Sequence, residues 1–337
     1  MGCYQSGYPQ AAKYAEVFVD ANRPDDSGSA TNWASAKRTI GSGLAVTATG
    51  GICRVAEGAY SDTIILPRLV TVEGAGQGVS VTSSWYVAAC PETNSCIRGL
   101  QLSGGIYGVF ASGNGHVVEQ CSIFSNYVGV YFTVPIYSGS RLTALRSLIV
   151  SNSKHGIYAS QGVLTLENCL IAANGGDGVQ QYSDNAGRST YLVHCTVADN
   201  GSDGYEHTHN FQYPVYVTNS IFTRNAGYGY KRTSGASYGH AIAYSCVSGN
   251  GTGEIYGPNI TLGSGVITNQ SPALASGSYQ LSEASPCVDS GTDTGVSVDA
   301  AGRPRPIVGR KPLTGSGFDM GCYELVPRVK GSVFVMR

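Results

Sequence analysis

The chain has 337 residues, a formal net charge of −1 and only 13% charged residues, against about 25% in ordinary globular domains. No basic stripe is available to release counterions from phosphates, which argues against nucleic acid, and no apolar run reaches the roughly 20 residues of a membrane span. Gly is abundant at 46, and 22 Tyr far exceed 8 Phe and 2 Trp, a balance that suits an extended β surface facing water.

The first residues, MGCYQSGYPQ, read as a mature domain behind an expression start. Residues 1–60 read as an N-terminal cap: a strand in YAEVFVD, a polar loop, and a short helix-like segment around Trp33 to Ile40. A stack of repeats needs such a cap, because its first unit otherwise exposes an open hydrophobic end. Short β runs separated by Gly and Pro follow, and coils are expected over 61–258.

Within that span one position recurs. Cys121, Ser147, Cys169, Cys195, Ser220 and Cys246 head the segments CSIFSN, SLIVSN, CLIAAN, CTVADN, SIFTRN and the degraded CVSGN, with successive starts about 22 to 26 residues apart. That is the period of a solenoid with one coil per repeat. Period-2 alternation assigns inward residues. Ile123, Ile149, Ile171, Val197 and Phe222 form one set, and Val118, Ala144, Leu166, Leu192, Val217 and Ala243 a second. Val109, Val130, Ile157 and Val179 form a third. Three short strands per coil give an all-β, right-handed parallel β-helix. The column Asn126, Asn152, Asn174, Asn200 and Asn225 fits a turn whose residue tolerates the left-handed conformation and whose amides bond along the axis. Residues 259–326 read as a loop-rich C-terminal capping segment, and 327–337 as a tail.

Ten cysteines admit several pairings. Cys90 and Cys96 bracket a short loop that a local disulfide could close, and Cys287 and Cys322 flank the C-terminal segment. The ladder cysteines read as buried small thiols, although stacked coils bring Cys169 and Cys195 close enough to bridge. No Cys/His pattern has zinc spacing.

Outward positions locate candidate chemistry. Two residues after each repeated Gly come Phe110, Tyr131, Tyr158, Gln180, Glu206 and Lys231, with Tyr182 on the same side. Aromatic faces pack against the C–H faces of pyranose rings, while amides and carboxylates bond hydroxyls, so a sugar chain could lie along this strip. A sheet stabilised by stacked neighbours explains the same residues without a ligand. Asp177 and Asp203 precede the repeated Gly on adjacent coils, and such a pair can hold Ca²⁺ or do acid–base work. Lys154 and His155, then Glu206, His207, His209, Lys231 and Arg232, are expected nearby. If the protein is an enzyme, Asp177, Asp203, Glu206 and Lys231 carry the chemistry. If it is not, Asp-Gly is a turn dipeptide and the rest is solvated surface. Apart from Ca²⁺, no cofactor is expected, and no nucleophile elbow, Walker loop or dinucleotide fingerprint is present.

Both ends carry a resemblance. Val19-Asp20, Asp26, Gly28, Trp33, Ala34, Ala36 and Glu57-Gly58-Ala59-Tyr60 resemble the opening of secreted bacterial right-handed β-helix repeat proteins. Ser285-Pro286-Cys287-Val288-Asp289-Ser290-Gly291, Asp299, Gly302-Arg303-Pro304-Arg305-Pro306 and Phe318-Asp319-Met320-Gly321-Cys322-Tyr323-Glu324 resemble the ending called the choice-of-anchor Q domain. The usual hydrophobic sorting tail is not seen. The resemblance implies a secreted or cell-surface setting, and a group that spans polysaccharide lyases, glycoside hydrolases, adhesins and carbohydrate-binding modules appended to carbohydrate-active enzymes. Three functions follow: a module binding a neutral or weakly charged, xylan-like polysaccharide; a lyase or hydrolase acting on a uronate polymer; and an adhesin or structural stalk. Near-zero charge and the Tyr excess favour the first.

Overall fold

A computed structural model describes residues 12–75, 78–134, 140–160, 162–182, 189–208, 214–233, 238–275, 278–307 and 316–326. Within them the chain winds into three parallel sheets of eleven, nine and nine strands, each strand hydrogen-bonded to its counterparts in the coils before and after. One coil shows the plan. His116–Glu119 lies in the first sheet, Ser122–Phe124 in the second and Val128–Thr133 in the third, and the next coil restarts at Arg141–Leu145. No helix among the described residues is long and apolar enough to cross a membrane.

The core follows from β-branched and aliphatic residues at every second position. Ile123, Ile149, Ile171, Val197 and Phe222 are in register and fully buried. Val118, Ala144, Leu166, Leu192 and Val217 form a second file, and Val109, Val130, Ile157 and Val179 a third. Burying one such side chain contributes roughly 1.5–3 kcal/mol, so Ile149→Ala costs about 3 kcal/mol through lost transfer energy and a cavity.

The expected register slips by one in the last coil. Val217 pairs with Ile242, which is buried, whereas Ala243 pairs with Thr218 on the outer face. The ladder accordingly ends on Ser245 rather than Cys246. Ser220 N–H donates to Ser245 Oγ at 3.0 Å, as Cys195 N–H donates to Ser220 Oγ at 3.1 Å. Since side chains alternate with a period of two, a one-residue error exchanges inside for outside.

The Asn column is structural, but its members are not the left-handed residues. Those are the preceding Ser125, Ser151, Ala173, Asp199 and Arg224, with φ between 54° and 56°. A second left-handed set, including Gln120, Arg146, Asn168, His194 and Asn219, precedes the Cys/Ser ladder. Two such kinks per coil turn the chain from the first sheet to the second and from the second to the third. Each Asn instead binds the next coil: Asn152 Nδ2 donates to Asn174 Oδ1 at 3.0 Å, and Asn174 Nδ2 to Asn200 Oδ1 at 2.9 Å. The ladder runs on to Asn250, whose Nδ2 donates to Glu254 Oε2 at 2.7 Å.

At the N-terminal end a helix, Ile40–Val46, covers the first coil and buries Ile40 and Leu44. It starts where Thr39 Oγ1 accepts from Ser42 N–H. The expected helix around Trp33 is a single 3₁₀ turn, Trp33–Ser35, capped by Asn32.

The C-terminal segment lies along the outer face of the second sheet. The outward file there is polar in early coils (Ser80, Gln101, Ser122) and, apart from Thr196, apolar in later ones (Leu148, Leu170, Ile221). The segment covers the apolar part: Cys322 packs on Leu170 and Ala172, while Leu281, Cys287 and Met320 pack on Ile221 and Cys246. Asn219 Nδ2 donates to Thr292 O at 2.7 Å and Cys322 N–H to Thr196 Oγ1 at 3.0 Å. Residues that stand out in this segment's sequence turn inward: Arg305 pairs with Glu324, both fully buried, and Asp299 accepts from Ala301, Arg303 and Glu324 N–H groups.

All described cysteines are free thiols. Cys90 faces the core beside Ala111, whereas Cys96 begins the next strand of the first sheet, half-buried on its outer side. They point to opposite faces of the coil wall, so the expected local bridge does not form. Cys287 and Cys322 sit in different clusters. The ladder thiols are buried and donate to carbonyls, Cys169 to Ala144 O at 3.3 Å and Cys195 to Leu166 O at 3.4 Å.

Candidate functional site

The outer face of the third sheet brings the predicted strip together. Phe110, Tyr131, Tyr158, Gln180, Glu206 and Lys231 are consecutive register partners. Strand spacing sets neighbouring side chains about 4.8 Å apart, and the rings stack accordingly. Phe110 and Tyr131 have centroids 5.7 Å apart at 6°, and Tyr131 and Tyr158 are 5.3 Å apart at 21°. All three are half-buried. Tyr182 lies two residues beyond Gln180, opposite Thr208, also half-buried.

Sequence reasoning missed two members. Tyr107 lies 4.8 Å from Tyr131, and Tyr86 stacks on Tyr107 at 5.8 Å and meets Phe110 at 4.8 Å. Trp85, more than half exposed, meets Tyr86 edge-on. The signal was the Trp85-Tyr86 pair one coil earlier and Tyr107 in register with it. Only the second position after the repeated Gly was followed, and these residues lie three positions before Phe110 and Ala89. Burial, with smaller contributions from neighbouring phenols, pushes the Tyr107 and Tyr158 hydroxyls up, so these two phenols are neutral at ordinary pH.

Beyond Tyr158 the surface becomes polar. Asp177, Asp203 and Glu206 are largely buried, and one oxygen from each falls within 4.8 Å of the others. Lys231 Nζ lies 2.8 Å from both Asp203 Oδ2 and Glu206 Oε1. Gln180 Nε2 donates to Glu206 Oε2 at 2.9 Å, Tyr228 N–H to Asp203 Oδ1 at 2.6 Å, and Asp203 N–H to Asp177 Oδ1 at 2.9 Å. His155 Nδ1 lies 3.2 Å from both Asp177 Oδ2 and the Asp177 amide nitrogen, so either tautomer ties it to Asp177. Burial would raise the Asp177 carboxyl, but hydrogen bonds from His155, Ser202 and Asp203 outweigh it and hold it below its usual range. Partial burial works against the Lys231 ammonium, yet Asp203 and Glu206 hold it well above its usual range.

The other expected bases do not join this cluster. His207 and Arg232 alternate with Glu206 and Lys231 and therefore point into the coil, where both are fully buried. The His207 ring lies 5.0 Å from that of His240, and Arg232 Nη1 donates to Asn259 O at 3.2 Å. Lys154 turns to the Tyr127 ring at 5.6 Å. His209 lies outside the described residues. As a cation site the three carboxylates have the right donor type, but the Lys231 ammonium already sits against two of them. A lysine held this way is also a poor general base.

The profile of the family described as "Right handed beta helix region" matches residues 70–248. The chain belongs to this family. No curated protein matches the sequence. Among solved structures, pectate lyase Pel9A superposes with a TM-score of 0.67 at 14% identity, covering 93% of this chain and 97% of that one. The periplasmic alginate epimerase AlgG gives 0.46 at 14% identity, covering 65% and 62%. The Azotobacter vinelandii mannuronan C-5 epimerase AlgE4 A-module gives 0.43 at 13%, covering 75% and 98%. At these identities the likeness shows the fold alone, and the fold does not choose the function.

Proposed function

We propose that this protein is an extracellular carbohydrate-binding module that holds a neutral or weakly charged, xylan-like polysaccharide along its third sheet. The observation that carries this reading is the unbroken file of half-exposed rings from Tyr86 through Tyr107, Phe110 and Tyr131 to Tyr158. Rings in one file offer successive stacking faces to a chain lying parallel to the axis. The polar end, Gln180 and Glu206, adds acceptors and an amide for hydroxyls. Mutual satisfaction of Asp177, Asp203, Glu206 and Lys231 favours binding over catalysis. The extracellular setting rests on the sequence resemblance, as does attachment to a carbohydrate-active enzyme. Affinity electrophoresis in gels containing xylan or a β-glucan tests the proposal: the wild type is retarded, and Tyr131→Ala with Tyr158→Ala migrates as in a polymer-free gel. Equal retardation of both proteins contradicts it.

A second reading draws on the three carboxylates within 4.8 Å: a lyase or hydrolase acting on a uronate polymer. It requires Lys231 to leave its two carboxylates, and it predicts unsaturated-uronate absorbance or new reducing ends that vanish in Asp203→Ala.

A further inference from the structure

The last coil and the C-terminal segment meet through two thiols. Cys246 stands on the outer face of the second sheet, in register with Ile221, and Cys287 lies in the segment that covers that face. Both are fully buried in one small cluster with Ile221, Leu281 and Met320. Cys246 Sγ donates to Gln270 O at 3.6 Å, and Cys287 N–H donates to Ser285 Oγ at 3.1 Å, so a carbonyl fixes the first residue and a serine hydroxyl the second. The ladder thiols lie wholly within the solenoid, where carbonyls of the preceding coil accept from them. Of the described cysteines, this pair joins the two structural units side chain to side chain.

We infer that Cys246 and Cys287 form a disulfide that fastens the C-terminal segment to the solenoid. The oxidant is a small or protein disulfide. The thiolate of one cysteine attacks it and releases one oxidant thiol, and the thiolate of the second then attacks the mixed disulfide and releases the other. One S–S bond forms, the two cysteines lose two protons and two electrons, and the oxidant is reduced to two thiols. In the docked state the contact between the thiols, together with burial, holds Cys287 far above the usual thiol range. Exchange is slow there, since the thiolate is the reactive form. Closure therefore accompanies docking of the segment, and the closed bond resists reduction afterwards.

The test incubates the unfolded, reduced protein in a glutathione redox buffer during refolding, then blocks free thiols with iodoacetamide in denaturant. Trypsin with a glutamyl endopeptidase leaves Cys246 in peptide 233–254 and Cys287 in 284–310. Mass spectrometry is expected to find these two peptides joined, with two hydrogens lost, and to find them separate after dithiothreitol. The oxidised protein is expected to melt on the order of 5 °C higher than the reduced one. Cys287→Ser removes this difference, and Cys322→Ser keeps it. If Cys287→Ser does not fold, the oxidised and reduced wild type still give both readouts. Recovery of Cys246 and Cys287 both alkylated in folded protein, or of Cys287 joined to another cysteine, overturns the inference.

Discussion

Two outer faces of the same solenoid are both hydrophobic in their side chains, and they have opposite fates. On the second sheet, Leu148, Leu170 and Ile221 are aliphatic, and the C-terminal segment lies over them. On the third sheet, Tyr86, Tyr107, Phe110, Tyr131 and Tyr158 are aromatic and stay half-exposed. An aliphatic face has no favourable state in water and must be covered by the chain itself. A tyrosine file keeps its hydroxyls wet and offers flat faces, so it persists uncovered and can receive a ligand. Residue type on an outward strand thus separates a packing face from a recognition face where hydrophobicity alone does not.

The largest effect on binding is expected on the aromatic side. Removing Tyr131 and Tyr158 together should lower polymer affinity at least 100-fold, about 3 kcal/mol, while shifting the melting temperature little, because these rings cover no core. Isothermal titration and a thermal melt on one sample separate the two quantities. A matching loss of stability would mean that the strip is a packing face like the second sheet. The converse change is Leu170→Asp, which places a charge beneath Cys322 and Tyr323. It should destabilise the protein by about 4 kcal/mol and expose 299–305 to hydrogen exchange, while leaving affinity per folded molecule unchanged.

Beneath both faces lies the shared ladder. Asn174→Ala deletes its donations to Asn200 Oδ1 and Ile149 O and orphans the backbone N–H of Asn152. A urea titration should show a loss of about 3 kcal/mol with both faces weakened alike.

Solution pH should act on the ends of the scale in a defined order. Burial pushes His194 down to about 3 and His240 down to about 2, whereas an unfolded histidine takes up its proton near 6.5. Their share of stability is complete above about pH 6.5 and falls as pH drops below it, by up to about 1.4 kcal/mol per pH unit for each group. Asp177 enters later. Its lowered carboxyl stabilises the fold above the unfolded carboxylate value, and that contribution is lost as pH falls through its folded value. Urea midpoints should therefore decline from pH 7 to pH 5, and Asp177→Asn should lower the midpoint at pH 7 and flatten only the more acidic part of the pH dependence. The smallest effect belongs to the exposed Arg224–Asp199 pair: Arg224→Ala should cost about 0.5 kcal/mol or less.

The sequence made the fold and the strip legible for the same reason. Stacked coils repeat one environment, so Ile123 to Phe222 and Phe110 to Lys231 could be read as columns. Reading stopped where the repeat degrades. The shift from Ala243 to Ile242 follows from one residue fewer than the 26 assumed, and its local mark is Ser245, which stands five residues before Asn250 as Ser220 stands five before Asn225. His207 and Arg232 were grouped with Glu206 and Lys231 by proximity along the chain, although strand alternation sends them inside. Contacts of Cys246 with Cys287, and of Leu170 with Cys322, join residues far apart in a segment without periodicity, so no pattern announces them.

The most direct test of the central claim is a panel of soluble xylans, glucans, pectins and alginates, scored in each sample for retardation of the protein and for released products. The account predicts retardation by a neutral or weakly charged polymer with neither new reducing ends nor unsaturated uronates. Product release, or free migration through every polymer, would contradict it.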